Sequence, residues 1–370
     1  MSSQIEEDSK DGSDILQALD EELVTKNLSN LGRTADGTKF SYLNLSIPGL
    51  NLSDIACLSK FKELQTLNLS NNNLNDLSVL SELPFLLYLN VSNNKIEKLF
   101  DFLPSYNLKE ADFSFNRITE IGNLSNFHYL QSLQLNNNQI KRIEGLEYCH
   151  RLKNLNLAHN LIKKIEGLEN LPLLGLDLRS NQIKKIEGLE PLKYLRFLNL
   201  SGNMIKFLHG IPEKHEFLEQ IDFENNRIAS LSEIEHLTAL NLLRDLNLIS
   251  NPVREAEDYY SAVIFKLPKL VFLDNRKIDS NDKVNAKNLF HPSAEYIASR
   301  DHMTNFIFNI IQDHKVREST LPNIDSPYPI LLLCGPEGSG TSHMATRLAK
   351  QFPEYFDYVY WLLNFLFLSK

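Results

Sequence analysis

The stretch LLLCGPEGSGTSHMATRLAKQF, residues 331 to 352, holds the chain's best arrangement for chemistry. Gly335, Gly338 and Gly340 have the spacing of a phosphate-binding loop, G-x-x-x-x-G-K-[ST]. In such a loop backbone N–H groups cradle phosphates and a terminal hydroxyl, here Ser342, faces magnesium. An apolar run at 330–333 precedes it, and a helix-like stretch with Met344, Leu348 and Phe352 follows, so the strand–loop–helix order is in place. Thr341 stands where the loop needs lysine. Without that charge a transferring phosphoryl group is poorly stabilised, although an anion could still be cradled. Arg347 and Lys350 lie turns further on and are poor substitutes.

Chemistry elsewhere is scarce. The ten histidines are scattered, with no H-E-x-x-H and no Cys/His pair at metal spacing. Cys57, Cys149 and Cys334 are odd in number and far apart, which fits a reducing compartment better than a disulfide framework. No catalytic residue, metal ligand or cofactor is expected. The formal net charge is −9, and residues 1–40 account for −5 of it, with nine acids against four bases. The remainder is close to balanced, so no nucleic acid partner and no stable membrane insertion are expected. The N-terminus lacks the apolar segment of a signal peptide, which points to a cytoplasmic protein.

The elements that position these residues are set by an internal repeat. L-x-x-L-x-L-x-x-N recurs nine times, from LQTLNLSNN at 64–72 to LRDLNLISN at 243–251. Its asparagines, Asn72 through Asn251, are spaced 22, 22, 22, 22, 21, 22, 23 and 25 residues apart. Alternating leucines send two apolar side chains inward from a short strand, and the asparagine amide can bond backbone groups as the chain turns. No repeat buries its apolar face alone, so coils must stack and the ends need caps. Residues 42–55 read as a degenerate first coil with proline at the asparagine position. Residues 13–32 read as a capping helix carrying Ile15, Leu16, Leu19 and Leu23, with Gly32 as its stop. Residues 251–274 read as the opposite cap.

The phrases IKRIEGLEYC, IKKIEGLENL and IKKIEGLEPL resemble the 22-residue class of intracellular leucine-rich repeat, and 251–274 resembles that class's C-terminal cap. The stretch YPILLLCGPEGSGTSHMATRLAKQFPEYF resembles the opening of the guanylate kinase family, where G-P-x-G-x-G-K-S is usual. The chain as a whole is similar to proteins joining the two. That resemblance implies phosphate contact for Gly335, Gly338, Gly340, Thr341 and Ser342. Only 28 residues follow Ser342, too few for a GMP-binding region and a lid.

The expected fold class is α/β: a leucine-rich repeat solenoid with a curved parallel sheet, a helical N-terminal segment, a C-terminal cap and a truncated P-loop β–α unit. The expected domains are a disordered acidic leader (1–12), an N-terminal helix or cap (13–40), the solenoid with its cap (41–280), a helix and linker (281–329, the helix at 291–316), and the incomplete kinase-like segment with an apolar tail (330–370). The concave sheet is the usual binding face of this fold. Its expected protein-binding residues are Tyr88, Glu110, Asp112, Asn156, Asp177, Arg179, Phe197 and Asp222, with the two aromatics as anchors. The expected function is a monomeric, non-enzymatic scaffold for proteins. The resemblance implies cytoskeletal or trafficking partners, at the cytoskeleton, a ciliary basal body, a flagellum or sperm vesicles. The alternative is a nucleotide-binding, guanylate kinase-like protein targeted by its repeats.

Overall fold

A computed structural model describes residues 17–103, 107–291 and 341–351. The chain divides into two units, 1–299 and 300–370. In the first unit two short strands, β1 (Gln17–Ala18) and β4 (Leu52–Asp54), pair with each other. Among the described residues, all its other strands form one sheet of thirteen. Between β1 and β4 come α1 (Glu21–Asn27), β2 (Leu28–Arg33) and β3 (Phe40–Ser46). Nine three-residue strands then stack in register: β5 (Thr66–Asn68), β6 (Tyr88–Asn90), β7 (Glu110–Asp112), β8 (Ser132–Gln134), β9 (Asn154–Asn156), β10 (Gly175–Asp177), β11 (Phe197–Asn199), β12 (Gln220–Asp222) and β13 (Asp245–Asn247). Each pairs in parallel with the next, as the single-length repeat requires. The middle residue of each of these nine strands, Leu67 to Leu246, points into a continuous apolar core with the apolar residue two places on, leucine in six coils and Val91, Phe113 and Phe223 in the others.

The repeated asparagines hold the coils to one another. Asn160 is typical: its Oδ1 accepts the Ile140 N–H (3.0 Å), and its Nδ2 donates to the carbonyls of Leu135 (2.9 Å), Leu157 (3.1 Å) and Ala158 (3.1 Å). Asn94, Asn116 and Asn203 make the same set of bonds, and all are nearly fully buried. Each amide therefore satisfies backbone groups of its own coil and of the preceding one, groups that no strand or helix could pair. The glycine of the I-x-x-I-E-G-L phrase also has a physical reason. Gly167 and Gly188 have positive φ, and a side chain on either would run into the backbone of the preceding coil.

Several expectations are corrected at the ends. The N-terminal helix is confined to α1, where Asp20 caps it by accepting the Leu23 N–H at 2.7 Å. Gly32 is not its stop. It lies in β2, which pairs antiparallel with β3 and adds a hairpin to the end of the sheet, and any side chain there would strike Leu43. The residue at the asparagine position of the first coil is Leu50, not Pro48. Its N–H and that of Leu52 both bond the Oδ1 of Asn72 (2.9 and 3.1 Å), because β3 pairs with β5 at an offset of 22 residues.

At the other end the cap runs past residue 280. It comprises α2 (Tyr259–Lys266), β14 (Phe272–Leu273), β15 (Arg276–Lys277) and α3 (Ser280–Phe290). Asp274 closes it. Its carboxylate accepts the Leu248 N–H at 2.8 Å and the Tyr259 hydroxyl at 3.2 Å, and it pairs with Arg254 at 3.0 Å. In the coil before, Phe223 N–H bonds the backbone carbonyl of Asn247, so Asp274 substitutes for a coil that does not follow. Tyr260 and Arg276 both reach Asp282 of α3, and the Phe265 and Phe290 rings lie 5.4 Å apart.

The expected acidic leader 1–12, the helix at 291–316, Gly335, Gly338, Gly340 and the apolar tail lie outside the described residues. In the second unit α4 (Thr341–Gln351) is described, and Thr341 and Ser342 are its first two residues.

If the asparagine ladder joins the coils, Asn160→Ala should lower unfolding free energy by about 3 kcal/mol, since it strands several buried backbone groups at once. Asn156→Ala on the open face of the same coil should cost less than about 1 kcal/mol. Urea unfolding followed by circular dichroism compares them, and equal midpoints would show that the ladder is not the joint.

Candidate protein-binding surface

The residues on either side of each buried leucine face the concave surface. One column reads Thr66, Tyr88, Glu110, Ser132, Asn154, Gly175, Phe197, Gln220, Asp245 and, by the pairing of β13 with β14, Phe272. The second reads Asn68, Asn90, Asp112, Gln134, Asn156, Asp177, Asn199, Asp222 and Asn247. Most of the second column has one structural task. Asn68, Asn90, Asp112, Asn156, Asp177, Asn199, Asp222 and Asn247 each use Oδ1 to accept the N–H two residues on, which turns the chain out of the strand.

The two columns enclose a hollow of about 310 Å³ on β9 to β12. Gly175 leaves it open, because every neighbour in its column carries a side chain. The backbone of Leu155, Leu176 and Leu198 forms the floor. Asn154, Asn156, Asp177, Phe197, Gln220 and Asp222 stand around it. Phe197 is 45% exposed.

Of the expected binding residues, the structure brings together Asn156, Asp177, Phe197 and Asp222. It does not bring Tyr88 to them. β6 and β11 are five strands apart, roughly 24 Å at the usual spacing between strands. Glu110 and Asp112 lie on β7, near Tyr88 rather than Phe197. Arg179 does not line the hollow, and its Nε lies 3.5 Å from Asp177 Oδ2. Sequence reasoning passed over Gly175, Asn154 and Gln220, which read as ordinary strand residues. It also passed over Phe272, which is 40% exposed, although LVFLD at 270–274 continues the leucine alternation for one more strand.

The surroundings of the hollow are acidic. Asp177 ends β10, Asp222 and Glu224 lie on the coil of β12, two coils away, and Asp245 begins β13. Arg179 meets Asp177, and Arg196 is held by Glu219 through Nη2–Oε1 (2.7 Å) and Nη2–Oε2 (3.0 Å) bonds. Burial, with Glu224 and Asp177 nearby, raises the Asp222 carboxyl above the ordinary carboxylate range. Burial and Asp222 do the same to Asp245. Neither described cysteine is activated as a nucleophile. Burial pushes the Cys149 thiol up to about 11 and also raises Cys57. Among the described residues no group of three or more His, Cys, Asp or Glu is placed to hold a metal ion, and no helix is long and apolar enough to cross a membrane.

Comparison with known proteins agrees with this fold. Models described as "Leucine-rich repeat", "Leucine Rich repeats (2 copies)" and "Leucine Rich Repeat" match residues 173–301, 106–148 and 63–84. The human leucine-rich repeat and guanylate kinase domain-containing protein is 47% identical over 146 residues, which is 40% of this chain and 18% of that protein. Dynein regulatory complex subunit 3 of Macaca fascicularis is 36% identical over 92 residues, 25% of this chain and 17% of that one. Among solved structures, an internalin of Listeria monocytogenes superposes with a TM-score of 0.54 at 26% identity, covering 64% of this chain and 67% of its own. The chain thus spans less than a fifth of the length of these curated relatives.

A carboxyl whose folded-state pKa is raised destabilises the fold once pH exceeds that pKa, and the cost vanishes below its unfolded value of about 3.9. Asp222→Asn and Asp245→Asn should therefore raise the urea midpoint at pH 7 and leave it unchanged near pH 3.5. A lower midpoint at pH 7 would show that the two charges are compensated in the fold.

Proposed function

We propose that this leucine-rich repeat protein is a non-enzymatic scaffold that holds a partner protein on its concave sheet. The observation that carries the reading is the hollow over Gly175 with Phe197 standing exposed beside it. Apart from Tyr88 and Phe272, the rest of the concave columns is polar. An aromatic ring next to an open recess is the form an interface anchor takes, since it buries much apolar area at low entropic cost. Affinity would come from this recess and a few neighbours rather than from total area. The setting we propose is cytoskeletal, ciliary, flagellar or sperm-associated, and the similarity to a dynein regulatory complex subunit supports it. A nucleotide-binding role at Gly335, Gly338, Gly340, Thr341 and Ser342 is the second reading. It draws support from α4, which begins at Thr341, directly after the glycine loop.

The test is affinity capture from a cytoplasmic lysate with the full chain as wild type, Tyr88→Ala and Phe197→Ala. Because the two aromatics stand far apart, a partner seated at the hollow should survive the first substitution and be lost with the second. Identical partners on all three baits would remove function from the concave face. Saturable binding of GMP or ATP by the same baits, abolished by Ser342→Ala, would then favour the second reading.

A further inference from the structure

We propose that the hollow over Gly175 is a socket for one cationic side chain, lysine or arginine, carried on an extended segment of the partner protein. This rests on reading the concave sheet as a protein-binding surface, and four observations lead from that surface to its ligand.

The first is the glycine itself. Gly175 does not have a left-handed φ, and a Cβ there would meet only the Asn154 side-chain oxygen, at 3.1 Å. Neither the backbone conformation nor crowding by backbone calls for glycine at this place. A glycine inside a strand weakens it, and such positions mark where another molecule approaches closely. The second is the Phe197 ring, which forms one wall; the Arg196 guanidinium already lies over it, 5.6 Å from its centroid, so the ring engages a cation within the chain and an incoming one would meet its other face.

The third concerns Asp177 and Asp222. Their turn-forming bonds, to the Arg179 and Glu224 N–H groups, are made equally well by Asn68, Asn90, Asn156 and Asn199 in other coils. The turn needs only the Oδ1 at these positions; the charge of Asp177 meets Arg179, and that of Asp222 is in no described ion pair. The fourth is the balance of charge around the recess. Arg179 faces Asp177 at 3.5 Å, and Arg196 is committed to Glu219. The described ion pairs give Asp222, Glu224 and Asp245 no cation. Burial and mutual repulsion hold the Asp222 and Asp245 carboxyls above their ordinary range, a cost that an incoming cation relieves. A volume of about 310 Å³ has room for a guanidinium or ammonium head and its last methylenes. The same charges repel phosphodiesters and acidic peptides.

The experiment uses ¹⁹F NMR of the full chain with 4-fluorophenylalanine at position 197. It is titrated with N-acetyl-arginine amide, N-acetyl-lysine amide and N-acetyl-glutamine amide. A saturable shift is expected with the two cations and not with glutamine. It should weaken at least tenfold in the Asp177→Asn/Asp222→Asn double variant, which keeps the turns, and vanish in Gly175→Leu, which fills the recess. Equal response to glutamine amide, or no loss in the double variant, overturns the socket. If partner capture depends on Phe197 while these amides fail to bind, the cation proposal falls and the concave-face reading stands. If neither depends on the hollow, both fall.

Discussion

The buried side-chain amide of the repeat asparagine is the constraint on which the rest of the solenoid depends. Each coil leaves strand geometry after only three residues, so carbonyls and N–H groups are stranded inside an apolar core. Leaving such groups unpaired costs about 1–3 kcal/mol each, and the three-residue strands of the repeat end before they could pair them. One planar amide with an acceptor and two donors solves this within a coil and across to its neighbour. Aspartate, an acceptor only when ionised, could not. The geometry of that bridge fixes the coil length and, through it, the register of the sheet.

Once the amide and the inward leucines carry stability, the concave columns are released from structural duty except for one turn-forming oxygen per coil. Asparagine and aspartate serve that task alike, so charge can be placed on the sheet without altering its path. The acids around Asp222 use this freedom at some expense to the fold, since burial disfavours their charged forms and neighbouring carboxylates add repulsion. Residues that cost stability and serve no packing role are the expected signature of a recognition surface.

The ends obey the same accounting of polar groups by other means. At the C-terminal end Asp274 meets an N–H that would otherwise bond the next coil, and α2 and α3 cover the core beyond it. At the N-terminal end the β2–β3 hairpin continues the sheet antiparallel. Leu50, standing where an asparagine would be, has no earlier regular coil to bridge.

Much of this was legible in the amino-acid order. Period, inward leucines, buried asparagines and the membership of the concave columns follow from a repeat of fixed length, because equal spacing along the chain becomes equal height in the stack. The caps were half legible. Of the leucines expected in a capping helix, Leu23 lies in α1, but Gln17–Ala18 pair with β4 and Leu28 to Arg33 became a strand because β3 offered an unpaired edge, tertiary facts no local pattern encodes. The hollow was not legible at all. Asn154, Gly175, Phe197 and Gln220 are 21 to 23 residues apart, and in sequence Gly175 is only a missing side chain. Lateral pairing of β9 to β12 sets that absence between a ring and two carboxylates. The sequence by itself determined that there is a stack, what fills it and which residues face outward. Which outward residues meet was decided only by the register between coils, because adjacency across a sheet is a property of hydrogen-bonded strands and not of the chain that supplies them.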